Sequence, residues 1–487
     1  MQRLTKTAHG KTEYPERVLQ FGTGNFLRAF TDWMIHRMNK ETDFNGSVVV
    51  VQSTKRGAAD VINEQDGLYS LFLQGMLDGR AVRRNEVIES ISRALNVHDQ
   101  YDEYMALAKS PDLRFVVSNT TEAGIAFDEE DELESRPQNS FPGKLTALLW
   151  KRFTHFNGDS DKGLVIIPCE LIDRNGAVLK EMVLRYAKAW QLGEIFAEWV
   201  ETANTFCNSL VDRIVPGYPK EDGEELEREL GFEDQLMTVG EHYHLWAIEG
   251  PGWLEEEFPA HAAGLNVKVV EDLAPYRLSK VFILNGAHTA LTPIALLSGI
   301  ETVKETVTNS DTNAFVEELI FEEIIPAIGL PEKETTAFAH EVLSRFANPF
   351  VQHYVKSIAL NAIPKFKTRN VPVLIKYAEA FGEVPQRMAL ALAAWIHVYK
   401  KSETDEAYIV DFFRDQWRAC NGTDEAIEEL VRNVIGYEAL WGQDLNRISG
   451  LADQTARFAI HIERSGVIDT LKKAGAHGER YADHQRS

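Results

Sequence analysis

The chain has 487 residues, 44% of them hydrophobic and 26% charged, and a net charge of −23. That length exceeds what one core can hold, so two or three domains are expected. The acidic balance argues against nucleic acid and against an anionic membrane surface as partners, and an anionic substrate would need a local basic pocket. The N-terminal stretch MQRLTKTAHGKTEYPERV has no apolar core, so no signal peptide is expected. No run approaches ~20 uninterrupted apolar residues, so no membrane span is expected. Cys169, Cys207 and Cys420 are odd in number and widely spaced. They fit buried thiols in a reducing cytoplasm rather than a disulfide framework. His242 and His244 have no HExxH or CxxC to support them, so no metal site is expected.

In chain order, residues 17–22 (RVLQFG) read as a short strand ending in glycine. GTGNFLRAF follows, with an amphipathic helix over 27–38. Strand, GxG turn and helix form the setting of a dinucleotide-binding turn. Gly22 permits the tight turn, Thr23 and Gly24 let a pyrophosphate approach the backbone, and Asn25 and Phe26 open the helix. Leu27 stands where a third glycine is usual. The β-branched run VVVVQ (48–52) suits a strand of a parallel sheet buried on both faces. Gln52 at its end is a candidate ribose partner, while Lys55 and Arg56 could accept a 2′-phosphate, so these residues leave NAD and NADP both open.

Residues 91–108 read as a connecting segment and helix. RFVVSN (114–119) is a further strand running into TTEAG, which makes Asn119, Thr121 and Glu122 candidates at the ligand-binding edge of the sheet. Residues 128–134 read as an acidic loop, 143–156 as a helix and 163–171 as a strand, followed by the IDRNG turn. The pattern over 177–215 is helical, and HYHLWAIEG and LNVKVVED are further strands. After about residue 275 nearly everything reads as helix, including 313–325, 333–346, 386–399 and 424–435. The fold class expected is therefore α/β: a Rossmann-like dinucleotide-binding domain over 1–275 and a mostly α-helical domain over 276–487.

The helical half opens on YRLSKVFILNGAHTALTPI (276–294), an apolar run carrying Lys280, Asn285 and His288. On a regular α-helix Asn285 lies ~140° and His288 ~80° around the axis from Lys280, so all three can face one cleft, spread over ~12 Å of rise. A desolvated lysine is a good acid/base, an asparagine amide can donate to a developing oxyanion, and an imidazole can hold a substrate hydroxyl. The same residues also suit a snorkelling lysine, a helix amide and a satisfied core histidine. Further on, IPKFKTR brings Lys365 and Arg369 into a segment basic for so acidic a chain, with Arg345 upstream in RFANP. These three are candidates for a substrate carboxylate, or for a basic surface patch.

Lys280, Asn285 and His288 in this spacing resemble the signature of the polyol-specific long-chain dehydrogenases, which include mannitol dehydrogenases and hexuronate reductases. The resemblance extends through FGTGNFLRAF, TTEAG, VDRI, LNGAH and the RFANP–IPKF region. The longer runs SNTTEAGI, IIPCELIDRNG and LVDRIVPGYP favour the hexuronate-reducing members. It implies a Rossmann domain, a helical second domain, NAD as cofactor and zinc-independent hydride transfer with Lys280 as acid/base. The implied partner is a small hexuronate or hexonate. Leu171 departs from an asparagine seen in mannitol-type members, and Phe30 from a frequent histidine. A catalytically silent dinucleotide sensor is the rival from another class. Oligomeric state is not legible.

Overall fold

The computed structural model describes residues 1–77, 79–120 and 124–482, with side chains described as far as residue 474. The candidates Thr121 and Glu122 lie outside the described residues. The chain divides into two compact units, Met1–Gly75 with Val82–Leu273, and Met76–Ala81 with Ala274–Ser487.

The first unit is built on six parallel strands: β1 (Glu16–Phe21), β2 (Ser47–Gln52), β3 (Ile91–Asn96), β4 (Phe115–Ser118), β5 (Val165–Pro168) and β6 (Thr205–Phe206). They pair in the order β3-β2-β1-β4-β5-β6. The strand order reverses between β1 and β4, and ligands of doubly wound sheets bind outside that switch point. Side chains alternate along the strands. Val18, Val48, Val50, Phe115 and Val117 feed one apolar cluster, while Leu19, Val49, Val51 and Val116 feed another on the opposite face. All six residues of β2 are buried, as a two-sided parallel sheet requires.

Two stretches depart from the expected elements. Residues 91–108 begin with β3 rather than a connecting segment, and only Tyr101–Ala106 is α-helical there. The stretch 177–215 holds the helices Asn175–Ala189 and Glu194–Thr202, but it then turns to strand in β6 and Asn208–Asp212. Asn208–Asp212 pairs antiparallel with Leu245–Glu249, so its conformation comes from a distant partner that local periodicity does not register. Val267–Val270 completes that sheet, and a second three-stranded sheet joins Thr238–Glu241, Tyr69–Leu77 and Arg80–Ile88.

The second unit is helical, with helices that include Ser310–Glu318, Glu332–Phe346, Gln386–Val398 and Asp424–Gly436 around one large apolar cluster. Ala274–Leu297 crosses that cluster, contributing Phe282, Ile283, Ala287, Ala290, Leu291 and Ile294. By length and composition this helix could cross a bilayer, yet 72% of its most apolar window is buried within the protein, as a core helix would be.

That helix is not regular. Over Lys280–Asn285 it opens into a π turn, with the Gly286 N–H reaching the Val281 carbonyl five residues back. Pro293 lies inside the following α-helical stretch Gly286–Leu297. A proline in a helix interior removes the N–H that would satisfy the carbonyl four residues earlier, here Thr289. Trp395, on Gln386–Val398, replaces it: its indole Nε1–H donates to Thr289 O at 3.0 Å. Asn370 donates to Gly286 O at 3.0 Å, so a second carbonyl of the same helix is held from a neighbouring one.

Candidate active site

At the switch point, Gly22 has φ +124, and a Cβ there would stand 3.0 Å from Asn119 O and 3.2 Å from Leu27 Cδ1. The turn from β1 passes so close to the end of β4 that only glycine fits. Gly24 is exposed and a Cβ on it would meet nothing within 4 Å, so its backbone can be approached closely. These two observations fit a diphosphate laid against the turn. A cavity of about 450 Å³ lined by Ser53, Thr54, Thr120, Phe127 and Lys144 opens at the same carboxyl edge of the sheet.

The helix after the turn spans 25–41 and includes a π turn over Arg28–Asp32. It is not the amphipathic helix expected over 27–38. Residues from Leu27 through His36 are buried, Arg28 and Asp32 included, and Leu27, Ala29, Phe30, Trp33, Met34 and Ile35 belong to the apolar cluster that the sheet feeds. Asn25, a cofactor-binding candidate at the start of the helix, also braces the turn: its Oδ1 accepts from Arg28 Nη2 at 2.6 Å and from Thr238 Oγ1 at 3.3 Å. Thr23 Oγ1 accepts from Ala58 N at 3.3 Å, and Phe26 stacks on Phe30 with ring centroids 5.0 Å apart.

Gln52, the candidate ribose partner, holds the loop after β2. It is 6% exposed, donates to Thr54 O at 3.0 Å and accepts from Ala59 N at 3.1 Å. Each end of the amide makes one bond to that loop. Lys55 and Arg56 are exposed on that loop. Asn119 Nδ2 donates to Cys169 O at 2.9 Å and ties the ends of β4 and β5 together. Glu170, not singled out from sequence, accepts from Ser118 Oγ, Thr120 N and Thr120 Oγ1, each at 2.9 Å, and fixes the start of the TTEAG segment. Burial pushes its carboxyl up, opposed by these hydrogen bonds. Next to it Leu171 stands 68% exposed.

In the second unit the π turn changes the expected geometry of Lys280 and Asn285. An i→i+5 turn brings residues five apart onto one face, as an i→i+4 turn does for residues four apart. The ~140° separation of a regular helix therefore does not apply. Burial agrees: Lys280 and Asn285 are half-buried, while Phe282, Ile283 and Leu284 between them are buried.

His288 is 9% exposed and its Nε2 has no hydrogen-bond partner. Phe346 stacks on its ring at 4.2 Å, and His353 meets it edge-on at 4.8 Å. Burial holds the His288 imidazole well below its ordinary range, and His353, Arg345 and Arg369 push it further down. His288 is thus a neutral imidazole with two guanidinium groups in electrostatic reach. Arg369 Nη1 donates to Thr289 Oγ1 at 3.2 Å, which ties the basic segment to the Lys280 helix. Arg345 adjoins the stacked Phe346 at the end of Glu332–Phe346.

Lys365 lies within electrostatic reach of Arg369. Its Nζ donates to Ile358 O at 3.1 Å and Leu360 O at 2.5 Å, closing a turn of its own neighbourhood. His353, a lone histidine in sequence with no spacing signal, was missed. Among the described residues no group of three His, Cys, Asp or Glu could hold a metal ion.

Known proteins match this arrangement along nearly the whole chain. The family model described as the mannitol dehydrogenase Rossmann domain matches residues 16–261, and the mannitol dehydrogenase C-terminal domain matches 272–460. The chain belongs to the mannitol dehydrogenase family. It is an oxidoreductase of that family. An altronate oxidoreductase of Bacillus subtilis (strain 168) is 50% identical over 476 residues, covering 97% of this chain and 98% of that protein. One from Yersinia enterocolitica is 44% identical over 475 residues, covering 96% and 98%. Among solved structures, a D-sorbitol dehydrogenase in substrate-free form has a TM-score of 0.77 at 22% identity, covering 97% of this chain and 100% of that one. The Pseudomonas fluorescens mannitol 2-dehydrogenase ternary complex with NAD and D-mannitol has a TM-score of 0.61 at 23% identity, covering 95% and 94%. Both share the mannitol dehydrogenase fold.

Proposed function

We propose that this member of the family is a metal-independent, NAD-dependent reductase that converts D-tagaturonate to D-altronate reversibly. The observation that carries the substrate class is the neutral, buried His288 with Arg345 and Arg369 in electrostatic reach. In a chain of net charge −23, such a group suits an anionic sugar acid rather than a neutral polyol. Relatives at 44% and 50% identity named altronate oxidoreductase support the same reading.

The residues of the first unit that would hold the dinucleotide are Gly22, Thr23 and Gly24, with the loop after β2. When bound, the dinucleotide supplies the hydride that reduces the ketone carbon. Lys280 Nζ delivers the proton to the ketone oxygen, so no free alkoxide forms. Asn285 Nδ2 donates to that same oxygen, which the π turn allows by placing both side chains on one face. The His288 imidazole, neutral at working pH, binds a substrate hydroxyl through Nε2 and fixes which carbon is presented. Arg369 and Arg345 take the carboxylate, Arg369 steadied by Thr289.

NADH oxidation measured in parallel with tagaturonate, fructuronate and fructose, before and after dialysis against EDTA, tests this. Turnover with tagaturonate well above the other two, unchanged by EDTA, is expected. Preference for fructuronate or fructose would transfer the chain to another activity of the family. NADH binding without turnover of any ketose acid would make it a sensor.

A further inference from the structure

Arg28 is 5% exposed, yet among the described residues it forms no ion pair. Its Nη1 donates to Thr23 O at 2.5 Å and its Nη2 to Asn25 Oδ1 at 2.6 Å, with Thr238 Oγ1 at 3.3 Å. Its Nε is buried without a partner, and Tyr69 lies beneath the guanidinium at 5.8 Å while donating its hydroxyl to Arg28 O at 2.6 Å. The nearest acids on either side are Asp32 and Asp234. Burial raises both carboxyls, Asp32 to about 7, and neither accepts a hydrogen bond from the guanidinium: Asp32 accepts from Gln20, and Asp234 from Gln65, Ser70 N and Leu236 N.

A buried guanidinium without a carboxylate is costly unless something else balances it. Here both forks reach the inner side of the Gly22–Asn25 turn. Drawing Thr23 O inward turns the peptide so that the Gly24 N–H faces away from Arg28, toward the open side above Gly24. Resting on the NAD reading above, we propose that Arg28 is a positioning residue that shapes the turn from behind and balances its own charge against the diphosphate of the dinucleotide. It touches neither cofactor nor substrate; it acts through Thr23 and Asn25.

The contrast between ligands with and without a diphosphate separates this role from a general structural one. Affinities of NADH, ADP-ribose and adenosine are measured for the full chain and for Arg28→Lys and Arg28→Met. NADH and ADP-ribose are expected to weaken ~10-fold or more in both variants, while adenosine changes by less than ~2-fold. Arg28→Met is also expected to flatten the salt dependence of NADH binding, which Arg28→Lys retains. Should Arg28→Met fail to accumulate, Arg28→Lys and Asn25→Ala carry the same comparison. Equal losses for adenosine and NADH, or unchanged NADH affinity, overturn the proposal. A wild-type chain that binds no NADH overturns the cofactor reading itself, a result distinct from either.

Discussion

Trp395 donates its indole N–H to the carbonyl of Thr289, the acceptor that Pro293 leaves without its helical partner. The two residues are 106 apart in sequence and come from different helices. Thr289 also carries the hydroxyl that receives Arg369, so this bond steadies the helix where the basic segment meets it.

Trp395→Phe should leave the Thr289 carbonyl buried and unsatisfied, at a cost of ~1–3 kcal/mol. In a Pro293→Ala background the helix regains its own N–H, and the same substitution should cost ~1 kcal/mol less. Denaturant unfolding of the four proteins in the cycle gives the coupling. Zero coupling would mean that the indole contributes only its packing.

Lys280→Ala should lower kcat by ~10³-fold or more, since it removes both the proton source and a charge beside the developing alkoxide. NADH affinity should hardly change, because the residues assigned to the dinucleotide belong to the first unit. Primary amines added to the variant should restore part of the rate, in order of basicity. A variant that keeps a tenth of the wild-type kcat across the pH range takes Lys280 out of the mechanism.

Arg369 and Lys365 should now behave differently. Arg369→Ala should lower kcat/KM for the uronate by ~2–5 kcal/mol while sparing an uncharged ketose. Lys365→Ala removes a cation that holds two backbone carbonyls, so it should lower stability and treat charged and neutral substrates alike. The reverse pattern in steady-state kinetics would return the carboxylate to Lys365.

His244 gives the first unit a pH-dependent contribution. Its imidazole is lowered to about 3, by burial first and then by the charge of Arg213. Its Nε2 accepts from Asn266 N at 2.9 Å. The folded value lies below the unfolded one near 6.5, so the stabilisation is present above pH ~6.5 and is lost as pH falls toward 3. At pH 5 the loss should be about 2 kcal/mol. His244→Gln, which can keep the acceptor, should show that much less acid destabilisation between pH 7.5 and pH 5. Identical slopes in the two proteins would show that His244 titrates normally.

What could be read from the sequence was whatever local chemistry decides. The β-branched run of β2, the glycine that only its turn can use and the apolar run from 276 announce their elements because neighbouring residues determine them. Asn208–Asp212 read as helix because its strand partner lies far away in sequence. Gln52 and Lys365 carry the right functional groups at plausible places, yet nearby carbonyls and N–H groups claim them, and composition does not reveal such competition. His353 is recognisable only once the fold sets its ring against His288. The angular argument for Lys280 and Asn285 assumed 3.6 residues per turn, and that assumption failed where the two residues sit.

The π turn at Lys280–Asn285 is equivalent to one surplus residue in an otherwise ordinary helix. Deleting any one of residues 281–284 would let the ladder close with i→i+4 bonds and rotate Lys280 by ~100° relative to His288. Such a shortened chain should keep its helical content and lose its turnover. Turnover that survived such a deletion would show that the surplus residue serves the packing of Phe282, Ile283 and Leu284 rather than the placing of Lys280.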